Sequence, residues 1–153
     1  MYPRKGFTML ELLLVVAAIG ILAGLVITAL NPGARVTETR NSRRRVDVNI
    51  ILNAVYQFAL DNNGALPSGI PTTSDCPGTA GNEICRTGAS SCSGLLALTE
   101  LTDDDRYLVE LPVDPSAASG SDGTGYRISR SSTGRVTVCA PEAEDGEVIT
   151  VTR

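Results

Sequence analysis

Apolar positions run almost unbroken at the start of the chain and then settle into two shorter rhythms. Between Phe7 and Leu30 the only charge is Glu11. As a helix this stretch would be roughly 36 Å long, enough to cross a hydrocarbon core of about 30 Å. Asn31-Pro32-Gly33 interrupts it, because Pro32 lacks an N–H and its ring crowds the carbonyl of Thr28. Beyond the break Val48, Ile51, Leu52, Val55, Phe58 and Ala59 recur every three or four residues. That spacing predicts a helix over about residues 35–61 with one apolar stripe. Asp61-Asn62-Asn63-Gly64 supplies its stop, with Asn or Gly available for a left-handed cap.

The rhythm then changes to alternation, which predicts strands at Tyr126–Arg130, Arg135–Ala140 and Val148–Thr152. Ser131-Ser132-Thr133-Gly134 joins the first two as a hairpin. Residues 67–94 read as a Gly/Ser/Thr-rich loop, followed by a short helical piece at Leu95–Leu101. The expected class is α+β. A long N-terminal helix, membrane half then amphipathic half, packs Val48, Ile51, Leu52, Val55 and Phe58 on a small antiparallel sheet.

Composition sharpens this picture. With 42% hydrophobic and 20% charged residues the chain is a folding one, but 4% aromatics and no Trp leave it an aliphatic core. Residues 34–45 carry five Arg against Glu38, a net of +4, whereas residues 46–153 carry six Arg against fifteen Asp or Glu, a net of −9. So acidic a body argues against direct nucleic-acid binding. Arg4 and Lys5 before the apolar stretch favour a cytoplasmic N-terminus, although Arg35 to Arg45 pull the other way. A cleaved secretory signal fits poorly, since the stretch is too long and no small-residue site follows it.

Catalytic chemistry is hard to place. The chain has no His, which removes most general-base, triad and zinc arrangements. Gly120, Gly123 and Gly125 look like a phosphate loop only in part, since no strand precedes them. No catalytic residue and no metal ligand is expected. Cys76, Cys85, Cys92 and Cys139 allow three pairings, and two disulfides in an oxidising exterior is the economical reading. The expected pairs are Cys76–Cys85 and Cys92–Cys139. Cys139 should point away from the helix, and Cys92 opens the helical piece expected beside it.

The residues Gly6-Phe7-Thr8-Met9-Leu10-Glu11, after a short basic leader and before the apolar helix, carry a resemblance. This N-terminus resembles that of the type IV pilins and of the pseudopilins of type II secretion, with Met9 where Leu is commoner. Asp61 to Pro67, Leu111 to Pro115 and Gly123 to Tyr126 also resemble the pilin pattern, more loosely. The resemblance implies a leader over residues 1–6, a membrane and filament-core helix over 7–33, and an exported body over 34–153. It implies cleavage by a prepilin peptidase between Gly6 and Phe7 and N-methylation of Phe7. Glu11 becomes the family's signature acid, paired with the freed ammonium of a neighbour's Phe7. In an apolar bundle two such charges offset one another's desolvation only when paired.

The function implied is that of a structural subunit of a type IV pilus-like filament. Its partners would be other pilin subunits, the inner-membrane assembly machinery and, before assembly, membrane lipid. It would pass from a single-pass membrane protein with a cytoplasmic N-terminus to a cell-surface filament. The alternatives are a pseudopilin, or a membrane-anchored extracellular binding domain that never polymerises. Arg43-Arg44-Arg45 would meet anionic headgroups or acidic loops of adjacent subunits. The acidic loops Asp103–Asp105 and Glu142–Glu147 suit calcium by ligand chemistry but match no calcium-loop spacing, and a solvated surface is the simpler reading.

Overall fold

The computed structural model describes residues 6–30, 32–73, 76, 78 and 83–153. It packs as two units, Met1–Val36 and Thr37–Arg153. The basic residues Arg4 and Lys5 and the break residue Asn31 lie outside the described residues.

The first unit is built on helix α1, Met9–Leu30. Every described side chain from Phe7 to Ala29 is exposed. Among the described residues it is the one helix long and apolar enough to cross a bilayer. Helix α2 runs Pro32–Asp61. It begins three residues before the expected start, at Pro32 itself. Proline suits a first helical turn, where its missing N–H would have had no partner. The far end closes as the cap residues predicted. Asn63 has φ 55°, and the Gly64 amide donates to the Ala59 carbonyl at 2.7 Å.

In the second unit, α2 lies against a sheet of four antiparallel strands in the order β1-β2-β3-β4. They are β1 Glu83–Cys85, β2 Gly123–Arg130, β3 Val136–Ala140 and β4 Ile149–Thr152. The register sets Ile128 opposite Val138 and Val138 opposite Val151. Alternate residues therefore face α2, and Tyr126, Ile128, Val136, Val138 and Ala140 close over Val48, Ile51, Leu52 and Val55 in one core. Each fully buried aliphatic side chain contributes about 1.5–3 kcal/mol through removal from water. Phe58 is half-buried, its ring edge-on to Tyr107 at 5.7 Å between centroids.

Four expectations are corrected. The disulfides are Cys76–Cys139 and Cys85–Cys92, not Cys76–Cys85 and Cys92–Cys139. Cys139 does lie on the sheet face away from the core, but Cys76 reaches that face, its sulfur 3.4 Å from the Arg127 carbonyl oxygen. Cys85 stands on β1, and the chain after it folds straight back. The Cys85 amide donates to Leu96 O and the Leu96 amide to Glu83 O, each at 2.8 Å, so Cys92 is delivered beside Cys85. Second, the supposed loop at 67–94 contains β1 and a bridge from Thr72 to Arg130. Third, Leu95–Leu101 is not a helix. Leu96 bridges to Ile84, and only short 3₁₀ turns follow at Thr99–Leu101 and Asp103–Asp105. Fourth, β2 starts three residues before the expected Tyr126, so Gly123 and Gly125 belong to the strand, where a Cβ on Gly125 would come within 2.8 Å of Asp114 Cβ.

Candidate assembly and processing site

The segment Gly6 to Thr8 is non-helical and exposed, so the Gly6–Phe7 bond precedes the first helical turn. Thr8 then caps α1. Its hydroxyl accepts the Glu11 amide at 3.2 Å, and its carbonyl accepts the Leu12 amide at 3.2 Å. Thr8-Met9-Leu10-Glu11 is therefore a Thr-x-x-Glu start, which sets Glu11 at the positive end of the helix dipole. The Thr-x-x-Glu spacing is the signal for this cap in the sequence itself, a role for Thr8 that the reading of Glu11 as a lone acid leaves out. Phe7 is 77% exposed. A Cβ on Gly6 would meet nothing within 4 Å, so this fold itself sets no requirement for glycine there.

Along α1, Ala17, Gly20, Gly24 and Thr28 fall three or four residues apart. Cβ atoms on Gly20 and Gly24 would also meet nothing within 4 Å. The Thr28 hydroxyl donates to the Leu25 carbonyl at 2.9 Å, which satisfies it inside the helix. One narrow stripe thus allows another backbone to come close without exposing a polar atom.

A second polar constellation lies on α2, one step N-terminal to the apolar stripe. Arg44 is fully buried. Its Nε and Nη2 grip Asp114 at 2.7 and 3.0 Å. Nη2 also donates to Ser116 Oγ at 2.8 Å, and Nη1 to Asn41 Oδ1 at 2.9 Å and Glu144 Oε2 at 3.1 Å. All five guanidinium N–H groups therefore have acceptors. Burial alone would raise the Asp114 carboxyl, but hydrogen bonds from Arg44 and Ser116 outweigh it and hold it below its ordinary value. The Arg44 bond likewise lowers Glu144, and the bond to Asp114 raises Arg44. Beside them the Tyr126 hydroxyl donates to Asp47 at 2.7 Å, and burial followed by that bond pushes the phenol well up.

The basic run is thus spoken for within its own chain. Arg40 pairs with Glu144 at 3.0 Å, Arg45 with Glu147, and Thr37 donates to Asp145 at 2.8 Å. For Arg44, which is fully buried, this corrects the expectation of contact with headgroups or acidic loops of adjacent subunits, whereas Arg43 and Arg45 keep exposed side chains. Of the three, Arg43 is the most exposed, 3.8 Å from Asp47. Nor is the loop at Glu142–Glu147 merely a solvated surface, since it is clasped to α2. Among the described residues no group of three or more His, Cys, Asp or Glu side chains could hold a metal.

Residues 1–27 match the family model described as the prokaryotic N-terminal methylation motif. This is the signature of the prepilin-type signals of type IV pilins and pseudopilins. No solved structure matches the chain.

Proposed function

We propose, with a prepilin-type signal on residues 1–27 as the premise, that the protein is a structural subunit of a type IV pilus-like filament. The motif supports a pilin or pseudopilin-like subunit in general. The narrower reading takes a prepilin peptidase to cut between Gly6 and Phe7 and to methylate the new amino terminus. The subunit then polymerises through α1, and Glu11 meets the ammonium of a neighbour's Phe7.

The observation that carries this is the combination of that motif with a helix exposed over its whole described length. Water is no place for α1, so it needs lipid or other helices. The helix dipole lessens the cost of Glu11 in lipid, but only an opposite charge in a dry bundle offsets the rest.

Mass spectrometry of material sheared from cells tests the reading. A mature protein beginning at methylated Phe7 is expected, and Gly6→Leu should accumulate uncut in the membrane. Glu11→Ala should insert normally yet yield little sheared filament. An intact Met1 on the exported protein would instead support a membrane-anchored domain. Cleaved protein that never appears as surface filament would favour the pseudopilin class.

A further inference from the structure

Among the Asn residues of the chain only Asn63 is followed by Gly. An Asn side chain can be attacked by the amide nitrogen of the next residue, and any side chain on that residue hinders the approach. Asn31 precedes Pro32, whose nitrogen carries no proton to lose. Asn41, Asn49 and Asn53 lie inside α2, where each following amide is bonded along the helix. Their side chains are held as well, Asn41 by the Glu144 carbonyl, Asn49 by the Arg45 carbonyl and Asn53 by Arg153. Asn62 donates to the Phe58 carbonyl at 2.8 Å, and Asn82 lies outside the described residues. Asn63 is exposed, and among the described residues nothing hydrogen-bonds its side chain.

The stop signal of α2 creates this arrangement. Asn63 has φ 55° and Gly64 has φ 87°, a left-handed turn that a Cβ opposes. Glycine therefore suits the cap, and the same lack of a side chain leaves its nitrogen open toward Asn63. One contact restrains it. The Gly64 amide donates to the Ala59 carbonyl at 2.7 Å, so its proton is tied up while the cap is closed. The last turn is itself pinned through Asp61, whose Oδ2 accepts Arg106 Nη2 and the Tyr107 hydroxyl, each at 3.0 Å.

We propose that Asn63 is a site of self-modification gated by the cap of α2. Helix ends open locally far more often than the whole fold does. When this one opens, the Gly64 nitrogen gives its proton to water and attacks Asn63 Cγ. A C–N bond forms, Nδ2 leaves as ammonia, and a cyclic succinimide results. Water, the only co-reactant, then opens the ring at either carbonyl to give aspartate or isoaspartate. The isoaspartate product carries an extra methylene in the main chain. Its Gly64 amide no longer reaches Ala59 in the same register, so the cap does not re-form. The change runs one way and marks the age of each copy at the end of α2, whether or not the copy stands in a filament.

The test incubates the full chain in detergent at neutral pH, folded or in denaturant, and follows each Asn by peptide mapping that separates aspartate from isoaspartate. In the folded chain Asn63 should convert before any other Asn, several-fold more slowly than in the denatured chain. Asp61→Ala removes the pin and should speed conversion at Asn63 several-fold, leaving Asn49 and Asn53 unchanged. Tyr107→Phe removes one of the two donors to Asp61 while keeping the ring on Phe58, and should give a smaller increase. Conversion led by another Asn, or none at Asn63 in the folded chain, would overturn the site. Equal rates in folded and denatured chain would overturn the gate. So would variants that leave Asn63 unaccelerated, or that speed Asn49, Asn53 and Asn63 alike, since the opening would then be global.

Discussion

Arg44 shows how much one side chain can commit a fold. Its guanidinium is buried with every donor used, so truncation would leave the buried Asp114 carboxylate without its counter-charge. Breaking a buried pair from one side costs about 3–5 kcal/mol. Arg44→Ala should lower stability by that order in chemical denaturation. Arg44→Lys should rescue little, because an ammonium cannot reproduce the planar fork. The same network sets an acid limit. A carboxyl whose folded pKa is depressed stabilises the fold above its unfolded value and loses that contribution as pH falls through the folded one. Stability should therefore hold down to about pH 4, the ordinary carboxyl value, and decline below it as Asp114 and Glu144 protonate. Asp114→Asn should flatten that acid limb. Tyr126 gives the opposite limb: with its pKa raised, its contribution persists below about pH 10, the ordinary phenol value, and is lost far into alkali.

Helices and strands differ in how openly the sequence declares them. The apolar half of the α2 stripe, Val48 to Ala59, was readable from its spacing because aliphatic residues have one preferred environment. The stripe continues N-terminally through Asn41, Arg44 and Asp47, all buried, at the same three- and four-residue steps. That half was invisible, since Arg, Asn and Asp usually face water and their burial depends on partners more than a hundred residues away in sequence for Glu144. β1 escaped notice for another reason. Three residues carry too little alternation, and β1 exists only because β2 offers an edge. In α1 the consequential feature is the small-residue stripe. Gly24→Leu should preserve or strengthen the isolated helix, since Gly costs about 1 kcal/mol there, yet reduce filament yield by blocking close approach. Equal yields of sheared filament from variant and parent would remove that role.

For the molecule as a whole, the N-terminal motif and the α+β order could be read from the chain, but the cysteine pairing could not. Pairing is decided by which loops the sheet brings together, and no spacing rule encodes that. The two bonds should differ in weight. Cys76–Cys139 spans 63 residues and Cys85–Cys92 spans 7. In the chain-entropy account these correspond to about 4 and about 2.5 kcal/mol. The double variant Cys76→Ser with Cys139→Ser should melt well below the Cys85→Ser, Cys92→Ser variant in a thermal scan.

The shorter bridge is nested inside the longer one, and this changes what a backbone cut does to the molecule. A single backbone cut anywhere between Cys76 and Cys139 divides the polypeptide but not the covalent molecule, because Cys76–Cys139 still joins the halves. The fragment that ends in the sheet stays tethered to the fragment that carries α1. Limited proteolysis should therefore leave one band without reductant and two with it. A cut in the Glu142–Glu147 loop, just outside the span, lacks that protection. There only strand pairing, the core and the arginine clasp would keep β4 in place. The clasp then acts as a non-covalent suture on the one acidic loop that the sulfur bridges leave unguarded.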